Sequence, residues 1–237
     1  MQAFNLTFDK VNPQSNVKKP FKPWNIYDVK FEGCSVEHIK GKKDPNATYD
    51  ILKTRFANDE GYHEERIFFP KDDKDAERPV YKNSEDHDYY GASNLERAMT
   101  FVAQVASVIN PEGYKKMQEL SKKFTSFDDV CKVLIKITDP KKGCATKLKL
   151  VGKKDKNGTV HAALPKFCAV NKEGELFTCD NFIGDRLFFS AYEEQKKAEY
   201  QNAKPTSMPS ETSNFNPDET KGSEDLDGLD GIDFSSL

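Results

Sequence analysis

The sequence predicts an α+β fold that is mainly β, with five strands and a helical block between the third and fourth strands. Two patterns carry this prediction. Residues 25–70 and 145–190 contain runs in which apolar and charged residues alternate, which is the period of half-buried strands. Residues 93–138 have apolar residues at helical spacing, with Asn-Pro and Asp-Pro steps at helix ends.

The first three strands are predicted to form an antiparallel meander. The first begins at Asn25, bends or bulges at Gly33 and continues to Ile39. The second is "TYDILKTRF" and the third is "YHEERIFFP", joined by a hairpin at "NDEG". A charged loop over residues 71–92 is expected to follow.

The helical block is predicted to contain three helices. Ser93 and Glu96 form a capping box at the start of the first helix. Asn110 and the proline after it end this helix and begin the next, since proline is tolerated in a first helical turn. Ser126 begins the third helix, which stops at an Asp-Pro step.

Strands are predicted to return at "ATKLKLVG", with Leu148 and Leu150 inward and Lys147 and Lys149 outward. An Asn-Gly turn leads into "TVHAALPKFCAV", the fifth strand, and "ELFTCDNF" and "IGDRLFFS" are expected to finish the sheet as an added hairpin. Ser190 caps a last helix, "AYEEQKKAEY".

This order of elements matches a five-stranded Greek-key barrel of the oligonucleotide-binding (OB) type, with its helical block between strands three and four. A mixed α+β sheet of another topology is the alternative. We expect an extended basic-aromatic arm over residues 1–24 and an OB-like domain over residues 25–203. Residues 204–237 are predicted to be a disordered linker and acidic tail, because Pro, Ser, Thr and Asn dominate before the acids.

Charge is unevenly distributed along the chain. From residue 205 onward there are eight acidic residues and one lysine, so this part carries −7 and residues 1–204 carry +4. A basic body joined to an acidic tail is typical of a nucleic-acid binder that carries its own competitor. A tail that only improves solubility is the alternative.

Aromatic and basic residues are interleaved, which suits a single strand whose bases stack and whose phosphates meet cations. The predicted DNA contacts are Lys18, Lys19, Phe21, Lys22 and Trp24 in the arm, Lys147, Lys149, Lys153, Lys154 and Lys156 on the fourth strand and its turn, and Arg55, Tyr62, Arg66, Lys166 and Phe167 nearby. The aromatic residues expected in the core are Tyr27, Phe31, Phe68, Phe177 and Phe188.

No pattern for catalysis, a metal or a cofactor is found, so we expect a protein that is not an enzyme. The four histidines are scattered, and no phosphate-binding GxxxxGK loop or GxSxG nucleophile elbow is present. The first residues lack the features of a secretory signal, no stretch is apolar enough for a membrane span, and the cysteines are irregularly spaced. A cytoplasmic location with reduced thiols is therefore expected.

The tail carries a family resemblance. Acids alternating with large apolar residues, after a Pro/Ser/Asn-rich linker and a basic β-rich body, resemble the single-stranded DNA-binding proteins of bacteria and bacteriophages. The residues that match are Glu224, Asp225, Asp227, Asp230, Ile232, Asp233 and Phe234. The family tail usually ends at or next to its last large apolar residue, whereas here Phe234 is followed by "SSL".

The resemblance implies a protein, alone or as a homo-oligomer, that coats and protects single-stranded DNA during replication, recombination and repair. It implies that the tail recruits polymerase, helicase or primase, and for a phage protein it implies the host cytoplasm. A phage annealing or recombination-mediator protein is one alternative. A virion or other interaction protein without nucleic acid is another.

Overall fold

The computed structural model describes residues 18–41, 46–77, 90–91, 93–165, 169–170, 176–178 and 180–203. In chain order the elements are β1 Asn25–Lys40, β2 Thr48–Ala57, β3 Tyr62–Phe68, α1 Asp73–Glu77, β4 Tyr90–Gly91, α2 Asn94–Ile109, α3 Pro111–Leu120, α4 Phe127–Thr138, β5 Ala145–Lys154, β6 Val160–Ala163, β7 Ala169–Val170, β8 Leu176–Thr178 and α5 Ala191–Asn202. The predicted mixture of strands and helices is confirmed.

The main sheet has five antiparallel strands in the order β3-β2-β1-β5-β6. Strand β1 is long because it serves two neighbours: residues 25–30 pair with β5, and residues 30–40 pair with β2. The register shifts between Phe31 and Gly33, where Gly33 has a φ of 130°. Such a φ favours glycine, so the predicted bend at Gly33 and the meander of the first three strands are confirmed.

The last part of the sheet differs from the prediction. "TVHAALPKFCAV" divides into β6, in the main sheet, and β7, in a small sheet of order β4-β7-β8. The predicted strand at residues 183–190 was wrong, since only Ile183 forms an isolated bridge, to Leu148. Gly184, with a φ of 124°, turns the chain out of the extended conformation immediately afterwards.

The core lies between the inward face of the main sheet and helices α2 and α4. Residues that are fully buried there include Phe31, Phe56, Phe101, Val105, Leu134, Leu148 and Leu150. Their positions follow the period of two in the strands and 3.6 in the helices, which the sequence predicts. Burial of a side chain of this size contributes about 1.5–3 kcal/mol, so this layer dominates the stability of the fold.

Two of the aromatic residues expected in the core are outside it. Tyr27 and Phe31 are buried as predicted, but Phe68 is 55% exposed and Phe188 is 74% exposed. Ile67 points inward on β3, so its neighbour Phe68 must point to the opposite face. Phe188 precedes α5 in a segment that is not a strand. The side chain of Phe177 lies outside the described residues.

The helix starts agree with the sequence. Ser93, Ser126 and Ser190 each form a reciprocal capping box with the acid three residues on. In the box at the start of α4, burial alone would raise the pKa of Asp129. Hydrogen bonds from Thr125 and Ser126 outweigh this effect and lower the pKa below its usual value. Local side-chain chemistry therefore sets where these helices begin.

Candidate nucleic-acid interface

The end of the predicted arm lies along the sheet. The amide of Phe21 donates to the carbonyl of Tyr62 at 2.9 Å, and the amide of Tyr62 donates to the carbonyl of Lys19 at 3.0 Å. These bonds pair the arm with the start of β3. The side chains of Lys18, Lys19 and Lys22 are exposed. The ammonium of Lys18 lies 3.8 Å from Glu32 of β1.

Phe21 belongs to the core, so its prediction as a base-stacking residue needs correction. The residue is 6% exposed, and its ring stacks on Tyr27 with the centroids 4.1 Å apart and the planes 15° apart. The hydroxyl of Tyr27 donates to the carbonyl of Lys22 at 3.0 Å. With Tyr27 on one face and almost all of its surface buried, the ring of Phe21 has no face open to a base.

Trp24 occupies a strained position at the base of the β5–β6 hairpin. Its φ is 62°, which is uncommon for a residue other than glycine. The indole lies against Gly152 of β5, where an added Cβ would overlap the indole Nε1. Gly152 thus makes room for the ring. Trp24 is part-buried here, next to the lysines of the hairpin, and its stacking role stays a prediction.

The end of β5 and the turn after it present three exposed lysines, Lys153 and Lys154 on the strand and Lys156 in the turn. Asp155 holds the turn, because its Oδ1 accepts from the amides of Asn157 at 2.8 Å and Thr159 at 2.9 Å. Its Oδ2 lies 2.9 Å from Nε2 of His161. The hydrogen bond with His161, followed by those from the two amides, lowers the pKa of Asp155. The lysines therefore lie in or next to an ordered turn.

Lys149 is buried, so its prediction as a phosphate contact was wrong. The residue is 4% exposed, and its Nζ lies 3.1 Å from both carboxylate oxygens of Glu193 and 3.1 Å from the carbonyl of Phe188. Alternation correctly predicts that Lys149 points away from the core. Helix α5 covers that face of β5, however, and supplies Glu193. Lys147, two residues earlier, stays exposed at 3.6 Å from Asp28.

Arg55, Tyr62 and Arg66 come together on the outer face, defined here as the side of β1–β3 that points away from the core. The guanidinium of Arg55 lies 4.5 Å from the ring centroid of Tyr62, and its Nε lies 2.7 Å from Glu32. Arg66 lies 2.7 Å from Glu64. Both predicted phosphate contacts are therefore already paired with carboxylates.

Lys53, which the sequence reasoning did not select, is the centre of this network. Its Nζ lies 2.7 Å from Glu37 and 3.2 Å from Glu64. Burial alone would lower the pKa of Lys53, but the hydrogen bonds to the two carboxylates outweigh it and raise the pKa. Burial alone would raise the pKa of Glu64, but hydrogen bonds from Arg66 and Lys53 lower it. The middle of the outer face is thus close to electrically balanced.

A second feature missed from the sequence is the aromatic cleft at the end of the outer face, formed by Tyr49, Phe68 and Lys71 with their neighbours. Strand alternation places Phe68 on the same face as Arg66 and Tyr62, so the signal was present. Lys166, Phe167 and the predicted tail residues lie outside the described residues.

The described residues contain neither a metal-binding cluster nor a membrane-spanning helix. Within it, no group of three His, Cys, Asp or Glu side chains could hold a metal ion. No helix in the same ranges is long and apolar enough to cross a bilayer. The thiols of Cys34, Cys131 and Cys144 are free, and burial raises the pKa of Cys34 to about 11.

Comparison with protein-family models, with curated proteins and with solved structures finds no match for this chain.

Proposed function

We propose that this protein binds single-stranded DNA and coats it during replication, recombination and repair, without catalysing a reaction. The observation that carries the proposal is the β5–β6 hairpin, in which Lys153 and Lys154 end β5 and Lys156 stands in the turn held by Asp155, with Trp24 at the base of the hairpin. An ordered cluster of cations beside an aromatic ring combines the two contacts that single strands need.

We propose further that the main sheet is an OB-like barrel. Strand β1 is flanked by β2 on one side and β5 on the other, and the helical block lies between β3 and β5 in the chain. Both features belong to that fold, and in it the loop between the fourth and fifth strands contacts nucleic acid. In the proposed barrel the turn of the β5–β6 hairpin would be this loop.

The salt dependence of binding tests the proposal. We expect log affinity for oligo-dT to fall linearly with log salt concentration, with a slope of about 0.7 for each phosphate neutralised. Changing Lys153, Lys154 and Lys156 together to Gln should lower the slope by about 2 and weaken binding at every salt concentration tested, since three phosphate contacts are lost. Fluorescence anisotropy with a labelled strand measures both quantities.

The matched control changes Lys116, Lys122 and Lys123 to Gln, which removes the same charge from exposed positions in the helical block. It should leave the slope nearly unchanged. Absence of binding at low salt would contradict the proposal, as would an equal effect of the two triple variants. Promotion of strand pairing by the wild-type protein would favour the annealing alternative.

We also propose that the acidic tail competes with DNA and recruits replication proteins through Asp225, Asp227, Asp230, Ile232, Asp233 and Phe234. One observation supports the competition. Helix α5 leads towards the tail. The pKa of Glu199, near the end of this helix, is lowered mainly by its hydrogen bond from Lys196 and, to a smaller extent, by the charge of Lys154. The end of α5 therefore lies near the lysine hairpin.

Deletion of residues 222–237 tests the tail. It removes five acidic residues and no basic residue, so the shortened protein should bind oligo-dT more tightly, above all at low salt. Changing Ile232 and Phe234 to Ala keeps every charge, so it should spare DNA binding and weaken capture of polymerase, helicase or primase from the same replication system. Wild-type capture by this double variant would contradict recruitment by the tail.

A further inference from the structure

The aromatic cleft lies at the end of β2 and β3, beyond the charged network of the outer face. It has a volume of about 550 Å³ and is lined by Tyr49, Phe68, Phe69, Lys71, Asp72, Lys74 and Asp75. Pockets of about 300–1,000 Å³ are typical of small-ligand sites. More than half of the surface of Phe68, the last residue of edge strand β3, is exposed, although the side chain is large and apolar.

The rings in the cleft are held in place. Tyr49 and Phe68 meet edge to face, with their centroids 6.3 Å apart and their planes at 82°. The ammonium of Lys71 lies 4.1 Å from the centroid of Tyr49. Ile51, which pairs with Phe68 across β2 and β3, is fully buried. The exposed ring of Phe68 is therefore positioned by its neighbours rather than free.

The charges in the cleft balance, which limits what it can attract. Lys71 and Lys74 are matched by Asp72 and Asp75. Both carboxylates also serve the start of α1: Asp72 Oδ1 accepts from the amide of Asp75 at 2.8 Å, and Asp75 Oδ2 accepts from the amide of Lys71 at 3.3 Å. A site with no net charge gains little from a phosphate group. It can gain from a planar, uncharged ring that stacks on Phe68.

We propose that this cleft binds a nucleobase of the single strand, with the base stacked on Phe68 and bounded by Tyr49 and Lys71. The inference rests on the proposed function, and it assigns to the cleft a contribution from bases that is separate from the phosphate contacts of the lysine hairpin. Because every base has a π face, the cleft accepts any of the four.

The test compares two strands of equal length and equal charge, oligo-dT and a strand of stable abasic residues. Phe68→Ala should weaken the binding of oligo-dT by roughly 5- to 150-fold, the range measured for loss of one base–aromatic stack. The same change should leave the affinity for the abasic strand within about twofold of wild type. Phe68→Tyr, which keeps a stacking face, should restore most of the affinity for oligo-dT.

Phe188→Ala is the matched control, because Phe188 is an even more exposed phenylalanine outside the cleft. It should bind both strands like the wild type. The inference is overturned if Phe68→Ala binds oligo-dT as tightly as wild type, or if it loses affinity equally for the abasic strand. In either case the proposed function still stands, provided that the wild-type protein binds oligo-dT. Failure of the wild-type protein to bind either strand at low salt would instead overturn the proposed function itself, and this inference with it.

Discussion

Replacing Lys149 with Met is expected to lower the free energy of unfolding by about 3–5 kcal/mol. The substitution removes the ammonium that lies 3.1 Å from both carboxylate oxygens of Glu193, in a place where both residues are buried. A carboxylate left there without a cation loses its compensation for leaving water, and the carbonyl of Phe188 loses its donor as well. Urea denaturation followed by circular dichroism measures the change.

Two further variants separate this effect from a general loss of charge. Lys153→Met, on an exposed lysine of the same strand, should leave the urea midpoint close to that of wild type. The double change of Lys149 to Met and Glu193 to Leu should recover much of the loss, because apolar side chains of similar size often replace a buried pair without penalty. A loss below about 1 kcal/mol for Lys149→Met would contradict the buried pair described here.

Phe182→Ala is expected to cost about 3–5 kcal/mol, the usual range for removing a large ring from a core. Phe182 is fully buried and stacks on Phe101, with the centroids 5.3 Å apart and the planes 10° apart. Its amide donates to Gln104 at 3.1 Å, and its carbonyl accepts from the amide of Lys149 at 2.8 Å. The ring thus fixes the segment before α5 to both α2 and β5.

Phe188→Ala provides the comparison in the same segment, since the two positions differ mainly in exposure. It should change stability by no more than about 0.5 kcal/mol. Thermal unfolding of the three proteins, with the midpoint recorded at equal pH and ionic strength, distinguishes them. Equal midpoints for Phe182→Ala and wild type would show that the segment is not anchored as described.

The parts of the fold that were predicted from sequence are those set by neighbouring residues. Ser93, Ser126 and Ser190 begin helices because the acid needed for each capping box is only three residues away. The meander and its bend at Gly33 follow from alternation and from one glycine. Such signals lie within a few residues, so a single sequence contains them.

The parts that were not predicted depend on contacts between distant residues. Lys149 was assigned to solvent because its strand alternates, and nothing nearby shows that a helix starting more than 40 residues later covers it. Phe21 stands among lysines and prolines, yet Tyr27 draws it into the core. Phe68 was expected in the core but is exposed, because its neighbour Ile67 points inward and successive strand residues point to opposite faces. The candidate site was therefore predicted in its hairpin and arm, and missed at its aromatic cleft.

The carboxylate of Glu193 has a consequence for how α5 forms. Its Oε2 accepts from the amide of Ser190 at 2.7 Å, which starts the helix, and the same group binds Lys149, which attaches the helix to the sheet. The side chain of Glu193 thus takes part both in the start of the helix and in its contact with the sheet, so nucleation of α5 and its attachment to β5 favour each other. We therefore expect the first turn of α5 and its contact with the sheet to be lost together when this end of the domain opens.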